Sequence, residues 1–168
     1  MATLTQRAHV KALCDTFKAH AGDLLYPPGD VRTGLENYDW HLSEHQLTTL
    51  LEHRASVMLD CSDTASWMFK CAGLWPFSYA GYTGTWIQWL GKHAYTDAKQ
   101  AELAVPVIFG PGTGHHMGVV YRPDPVKGNP LIAQHGRAGF DIATLSATVA
   151  SQTAEGYPGW RFLSIAGI

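Results

Sequence analysis

Hydrophobic positions recur at helical spacing through the first part of the chain and give way to short strand-like runs beyond Leu103. From about Thr3 to His20, Leu4, Ala8, Leu13 and Phe17 predict an amphipathic helix. A loop rich in turn residues follows, from Tyr26-Pro27-Pro28-Gly29 to Trp40. Ser43, with Gln46 three residues on, is a capping-box signature for a helix carrying Leu47, Leu50 and Leu51. Asp60-Cys61-Ser62 opens another helix, with Cys61, Ala65, Met68 and Ala72 on one face and Gly73 as its stop. After a loop from Pro76 to Gly84, Thr85 is expected to cap a short helix through Trp86, Ile87, Trp89 and Leu90. Trp67, Trp86 and Trp89 are expected to pack the core.

The later runs, Leu103–Phe109, His115–Arg122 and Pro130–His135, read as strands. Pro106 marks the first of them as an edge or an irregular stretch. A helix is expected from Asp141 to about Thr153, then a closing strand, Trp160–Ile165. Helices first and an antiparallel sheet afterwards predict an α+β fold, with N-terminal helices packed on a small antiparallel β-sheet. No repeat or linker divides residues 1–168, so one domain is expected.

Composition narrows the function classes. The chain is 46% hydrophobic and 15% charged, which suits a compact globule, and no apolar run is long enough to cross a bilayer. Its net charge is −2 with no Lys/Arg cluster, which argues against a nucleic-acid partner. The N-terminus lacks the organisation of a secretory signal. Three cysteines, Cys14, Cys61 and Cys71, do not make a disulfide framework. Cys61 and Cys71 on one helix are separated by about 15 Å of axial rise, too far to bridge. Cys14, beside Leu13 and Phe17, is expected to be a buried, inert thiol.

Cys61 has a different setting. The first turn of a helix supplies partial positive charge and free N–H donors, which favour a thiolate nucleophile. Asp60 and Asp63 oppose this, since nearby carboxylates raise a thiol pKa, so a histidine has to do much of the activation. Of nine histidines, His115 and His116 open a strand after the turn Gly110-Pro111-Gly112-Thr113-Gly114. A symmetric hairpin with Arg122 facing Asn129 sets His116 opposite His135, on one face, with Cβ atoms about 4.5–5.5 Å apart. One imidazole then orients the other, in the order Cys61, His116, His135. A one-residue slip brings His115 into that role instead.

These residues resemble the NlpC family of cell-wall cysteine peptidases, which have the papain-like fold. The family's Asp-Cys-Ser-Gly block and later Ala-Gly-Leu correspond to Asp60-Cys61-Ser62-Asp63 and Ala72-Gly73-Leu74, with Asp63 standing where the family has Gly. Its His-x-Gly-Ile/Val block corresponds to His116-Met117-Gly118-Val119, and its third polar position to His135. Gly81-Tyr82-Thr83-Gly84-Thr85 is similar to actinobacteriophage versions of the domain. The resemblance spans roughly Tyr38 to Gly136. It implies hydrolysis of peptidoglycan stem peptides, commonly at the D-γ-glutamyl–diaminopimelate bond, through a Cys61 acyl-enzyme with no cofactor or metal. It implies stem-peptide contacts from Asp60 and Ser62 and a cleft tyrosine, for which Tyr38 is the candidate. A monomeric phage endolysin or virion-associated wall hydrolase is the expected setting, with a bacterial autolysin left open. Such a protein is made in the host cytoplasm and reaches the wall through a holin or on the particle, with no membrane partner.

Rival readings stay in view. His41-Leu42-Ser43-Glu44-His45 matches the His-x-x-Glu-His zinc-peptidase pattern. Ser43 as N-cap leaves His41 outside the helix and spoils the one-turn spacing of His41 and His45 that zinc requires. The aromatic residues between Trp75 and Trp89 would suit a non-catalytic wall-binding module. Acyl transfer to an amine shares the same acyl-enzyme.

Overall fold

The structure is a computed structural model that describes residues 1–27, 38–166 and 168, leaving the side chain of Tyr38 outside the description. α1 (Leu4–Ala19) starts at a Thr3/Gln6 capping box and buries Val10, Leu13, Cys14 and Phe17. The two-residue strands β1 (Leu24–Leu25) and β2 (Val57–Met58) pair in parallel. Between them lie a 3-10 turn (Tyr38–His41) and α2 (Glu44–Glu52), which has the expected Ser43/Gln46 capping box. α3 (Cys61–Cys71) is capped by Asp60, and nine of its residues, Cys61 through Phe69, are buried.

α4 (Thr83–Leu90) begins two residues before the expected Thr85 cap, and its N-cap, Tyr82, makes no side-chain capping bond. Thr85 is instead a buried residue of the first turn. The remaining strands, β3 (Ala94–Tyr95), β4 (Pro106–Phe109), β5 (His116–Arg122), β6 (Leu131–Gly136), β7 (Gly139–Thr144) and β8 (Trp160–Leu163), form a six-stranded sheet in the order β3-β8-β4-β5-β6-β7. Its strands pair antiparallel throughout the described residues, so the fold is α+β as expected.

Three expectations about the sheet are corrected. Pro106 does not mark an edge, although the irregular stretch given as the alternative is found at residues 103–105: β4 lies between β8 and β5 with all four residues buried, and Pro106 is tolerated as its first residue. Ala104, at φ 64°, sits in the left-handed region and keeps the run from Leu103 out of the strand. The helix expected from Asp141 starts at Leu145 as α5 (Leu145–Ala154), because residues 139–144 pair with β6 and Thr144 supplies the cap to Ala147.

The third correction concerns register. Gly118 pairs with Gln134 and Val119 with Ala133, while Arg122 pairs with Leu131 across an irregularity after Val120. His116 is therefore in line with Gly136, and His135 with Met117. Val107, Phe109, His116, Gly118 and Gln134 share one face of the sheet. Met117, Val119, Ala133, His135 and Phe140 share the other. Phe17 of α1 packs edge-on against Phe140, and Thr64 of α3 bonds His135, so α1 and α3 cover this second face. Trp67 and Trp86 are fully buried and Trp89 partly so, as the helical spacing predicts.

Candidate functional site

The site starts with a helix cap. Asp60 Oδ1 accepts from the backbone N–H of Ser62 (2.7 Å) and Asp63 (2.7 Å) and from the Ser62 hydroxyl (2.8 Å). These bonds fix the first turn of α3 and make Cys61 its first residue, at the positive end of the helix dipole. The thiol is nearly covered, with Cys61 4% exposed. Ser62, expected to contact substrate, is 1% exposed and spends its hydroxyl proton inside the cap.

Tyr26 was not legible as a site residue. Its hydroxyl bonds both the side chain and the backbone of Cys61, and burial followed by the neighbouring Cys61 and Asp60 pushes its pKa up. The cause of this placement is the β1–β2 ladder: Leu25 pairs with Met58, and the Leu59 amide donates to the Leu25 carbonyl (3.1 Å). That brings the residue after Leu25 beside the residues that open α3. Pairing this short leaves no periodic signal, and the resemblance pointed to Tyr38, whose side chain lies outside the described residues.

His135 lies on the α3 side of the sheet and is fully buried. Cys61, Thr64, Met117, Gln134, His135 and Phe140 all border one packed crevice with no room for a water molecule. Thr64 Oγ1 donates its single proton to the Asp60 carbonyl (2.7 Å) and so accepts from His135 Nδ1 (3.1 Å). The ring packs edge-on against Tyr26, with centroids 5.5 Å apart. Burial pulls its pKa down to about 4, opposed by the Asp60 charge and the Leu24 backbone, though Nε2 makes no full hydrogen bond.

His116 opens β5 on the opposite face, stacked at 6.0 Å on Phe109. Its Nε2 bonds Gln134 Oε1 at 2.7 Å. The expected pairing of His116 with His135 on one face is thus overturned by the one-residue register difference. Burial lowers the His116 pKa, and the Gln134 bond, Glu155 and Asp60 oppose the shift. Asp60 acts on both imidazoles, and His116 acts on His135, so both rings lie within reach of the charge at the start of α3. The slip does not promote His115, which is exposed and stacks on Tyr157 at 3.4 Å.

The other candidates lie apart. His41 ends the 3-10 turn before the Ser43 cap, and Glu44 pairs with His9 (3.0 Å). Among the described residues no three His, Cys, Asp or Glu side chains cluster as a metal site. Cys14 is buried against Met68 (3.6 Å), and burial pushes both its thiol and that of Cys71 up to about 12. Compared with known proteins, the chain matches no protein family, no curated protein and no solved structure at a significant level.

Proposed function

We propose that this chain is a cysteine hydrolase of the papain-like NlpC type that cleaves peptidoglycan stem peptides, with Cys61 as nucleophile and His116 as base. One observation carries the reading: Cys61 is the first residue of a buried, carboxylate-capped helix, and the cap's charge acts on two histidines. In this mechanism His116 accepts the thiol proton and the thiolate attacks the peptide carbonyl. The Cys61 amide at the start of α3 stabilises the oxyanion, since the Ser62 and Asp63 amides are held by the Asp60 carboxylate. His116 then protonates the leaving amine, and water releases the acyl group. His116 lies on the face of the sheet opposite His135, so a movement at the start of β5 has to bring it to Cys61. Catalytic hydrogen bonds are often long in unliganded enzymes and tighten when substrate binds.

His135 as base is a second reading, favoured by its place with Cys61 around one packed crevice. Its low pKa and its bond to Thr64 weigh against it. Digestion of diaminopimelate-type peptidoglycan, with the new termini read by mass spectrometry, tests both readings. Wild type is expected to leave free D-glutamate γ-carboxyl and diaminopimelate amino termini, and Cys61→Ala and His116→Ala none. Equal cleavage by Cys61→Ala would overturn the cysteine mechanism, and chelator-sensitive cleavage by that variant would point to zinc. Loss of cleavage in His135→Asn but not in His116→Ala would move the base to His135.

A further inference from the structure

We infer that Gln134, rather than His135, is the positioning residue that sets which nitrogen of His116 acts as the base, an inference that rests on the hydrolase reading above. Gln134 Oε1 is an acceptor only, so at 2.7 Å from His116 Nε2 it requires the proton on that nitrogen. The neutral ring then carries its lone pair on Nδ1, the one nitrogen left to take a proton from a thiol. Register keeps the two side chains together, because Gly118 pairs with Gln134 and His116 stands two residues from Gly118 on the same face. The ring is 7% exposed, so little water competes for Nε2.

His135 cannot fill this role in the observed register. It faces α3, its Nδ1 bonds Thr64, and its ring braces Tyr26. The amide also differs in chemistry from a carboxylate. It fixes the tautomer without adding charge, so it stabilises the imidazolium less than an acid would. Gln134 thus selects the basic nitrogen while leaving His116 a weak base.

The test pairs an NMR measurement of the His116 tautomer with pH–rate profiles on a peptidoglycan digest. Wild type is expected to show the Nε2–H tautomer, and Gln134→Ala a mixture. Gln134→Ala is expected to lose about 10- to 100-fold in kcat with KM little changed, as for a hydrogen bond that strengthens to a charged group in the transition state. Gln134→Asn should recover part of the loss. Gln134→Glu should move the acidic limb of the profile to higher pH, because a carboxylate favours the imidazolium. A wild-type Nδ1–H tautomer, or a Gln134→Ala profile that superimposes on wild type while His135→Asn shifts the limb, would overturn the inference. If no variant of Cys61 affects cleavage, the hydrolase reading fails instead, and the tautomer measurement still decides whether Gln134 positions the ring. Thermal midpoints of each variant separate misfolding from either outcome.

Discussion

Removing the Asp60 carboxylate should loosen the start of α3 before it affects anything else. In Asp60→Ala, two backbone donors and one hydroxyl lose the oxygen that holds them at 2.7–2.8 Å. Loss of a side-chain N-cap costs about 0.5–2 kcal/mol. Ser62 is 1% exposed. Leaving such a buried donor unpaired adds about 1–3 kcal/mol where it cannot turn to another acceptor. These contributions overlap, so about 2–4 kcal/mol is the expected total, which lowers Tm by roughly 5–15 °C for a chain of this size. Asp60→Asn keeps an acceptor oxygen in place and gives up the charge that favours a helix N-terminus, so its loss should stay near 1 kcal/mol.

Thermal and urea denaturation followed by circular dichroism at neutral pH measure both variants. The order wild type, Asn, Ala in decreasing stability is the expected result. If Ala and Asn are equally destabilised, charge rather than hydrogen bonding holds the cap. An Ala variant within about 1 °C of wild type would refute the cap's place at the root of the site.

Other perturbations test separate parts of the structure. Gly118→Ala places a methyl 2.6 Å from the Ala133 carbonyl oxygen and 2.8 Å from Ile132 Cγ2. It should therefore cost about 1–3 kcal/mol by overpacking, visible as a reduced urea midpoint, and an unchanged midpoint would contradict the β5–β6 register. Stability should also fall as pH drops from about 6.5 towards 4, because unfolded His135 binds a proton there and the buried ring, with its pKa near 4, does not. The pKa gap corresponds to roughly 3 kcal/mol when fully expressed. His135→Phe should flatten the slope of unfolding free energy against pH, and a slope equal to wild type would show that this ring is not the titrating group.

What the chain revealed beforehand was what local chemistry dictates. Ser43 and Gln46 announce α2, Asp60 announces α3, and both caps form as expected. Of the stripe expected on α1, Leu13 and Phe17 carry through to burial, as do Trp67 and Trp86, whereas Leu4 and Ala8 are exposed and Val10 is buried on the inner face instead. Where two local signals competed, tertiary pairing decided. Asp141 looks like a helix start, yet Phe140 and Ile142 continue the β6 ladder, and Thr144 caps the helix instead. Tyr26 reaches Cys61 through a two-residue parallel ladder with no periodicity to read.

The spacing between His116 and His135 was also open to misreading, because it fixes neither the loop closure nor the number of residues left unpaired. Arg122 closes opposite Leu131 rather than Asn129, and the irregularity after Val120 shifts the ladder again. A single residue of slip then turns one imidazole towards Gln134 and the other towards Thr64. Had both rings shared a face, each would have partnered the other, and protonating one would have opposed protonating its neighbour. On opposite faces, each ring gets its own neutral partner. His135 is held deep and neutral where it braces Tyr26, and His116 keeps a nitrogen for proton transfer. Register, not residue type, thereby divides bracing from base chemistry between two chemically identical side chains.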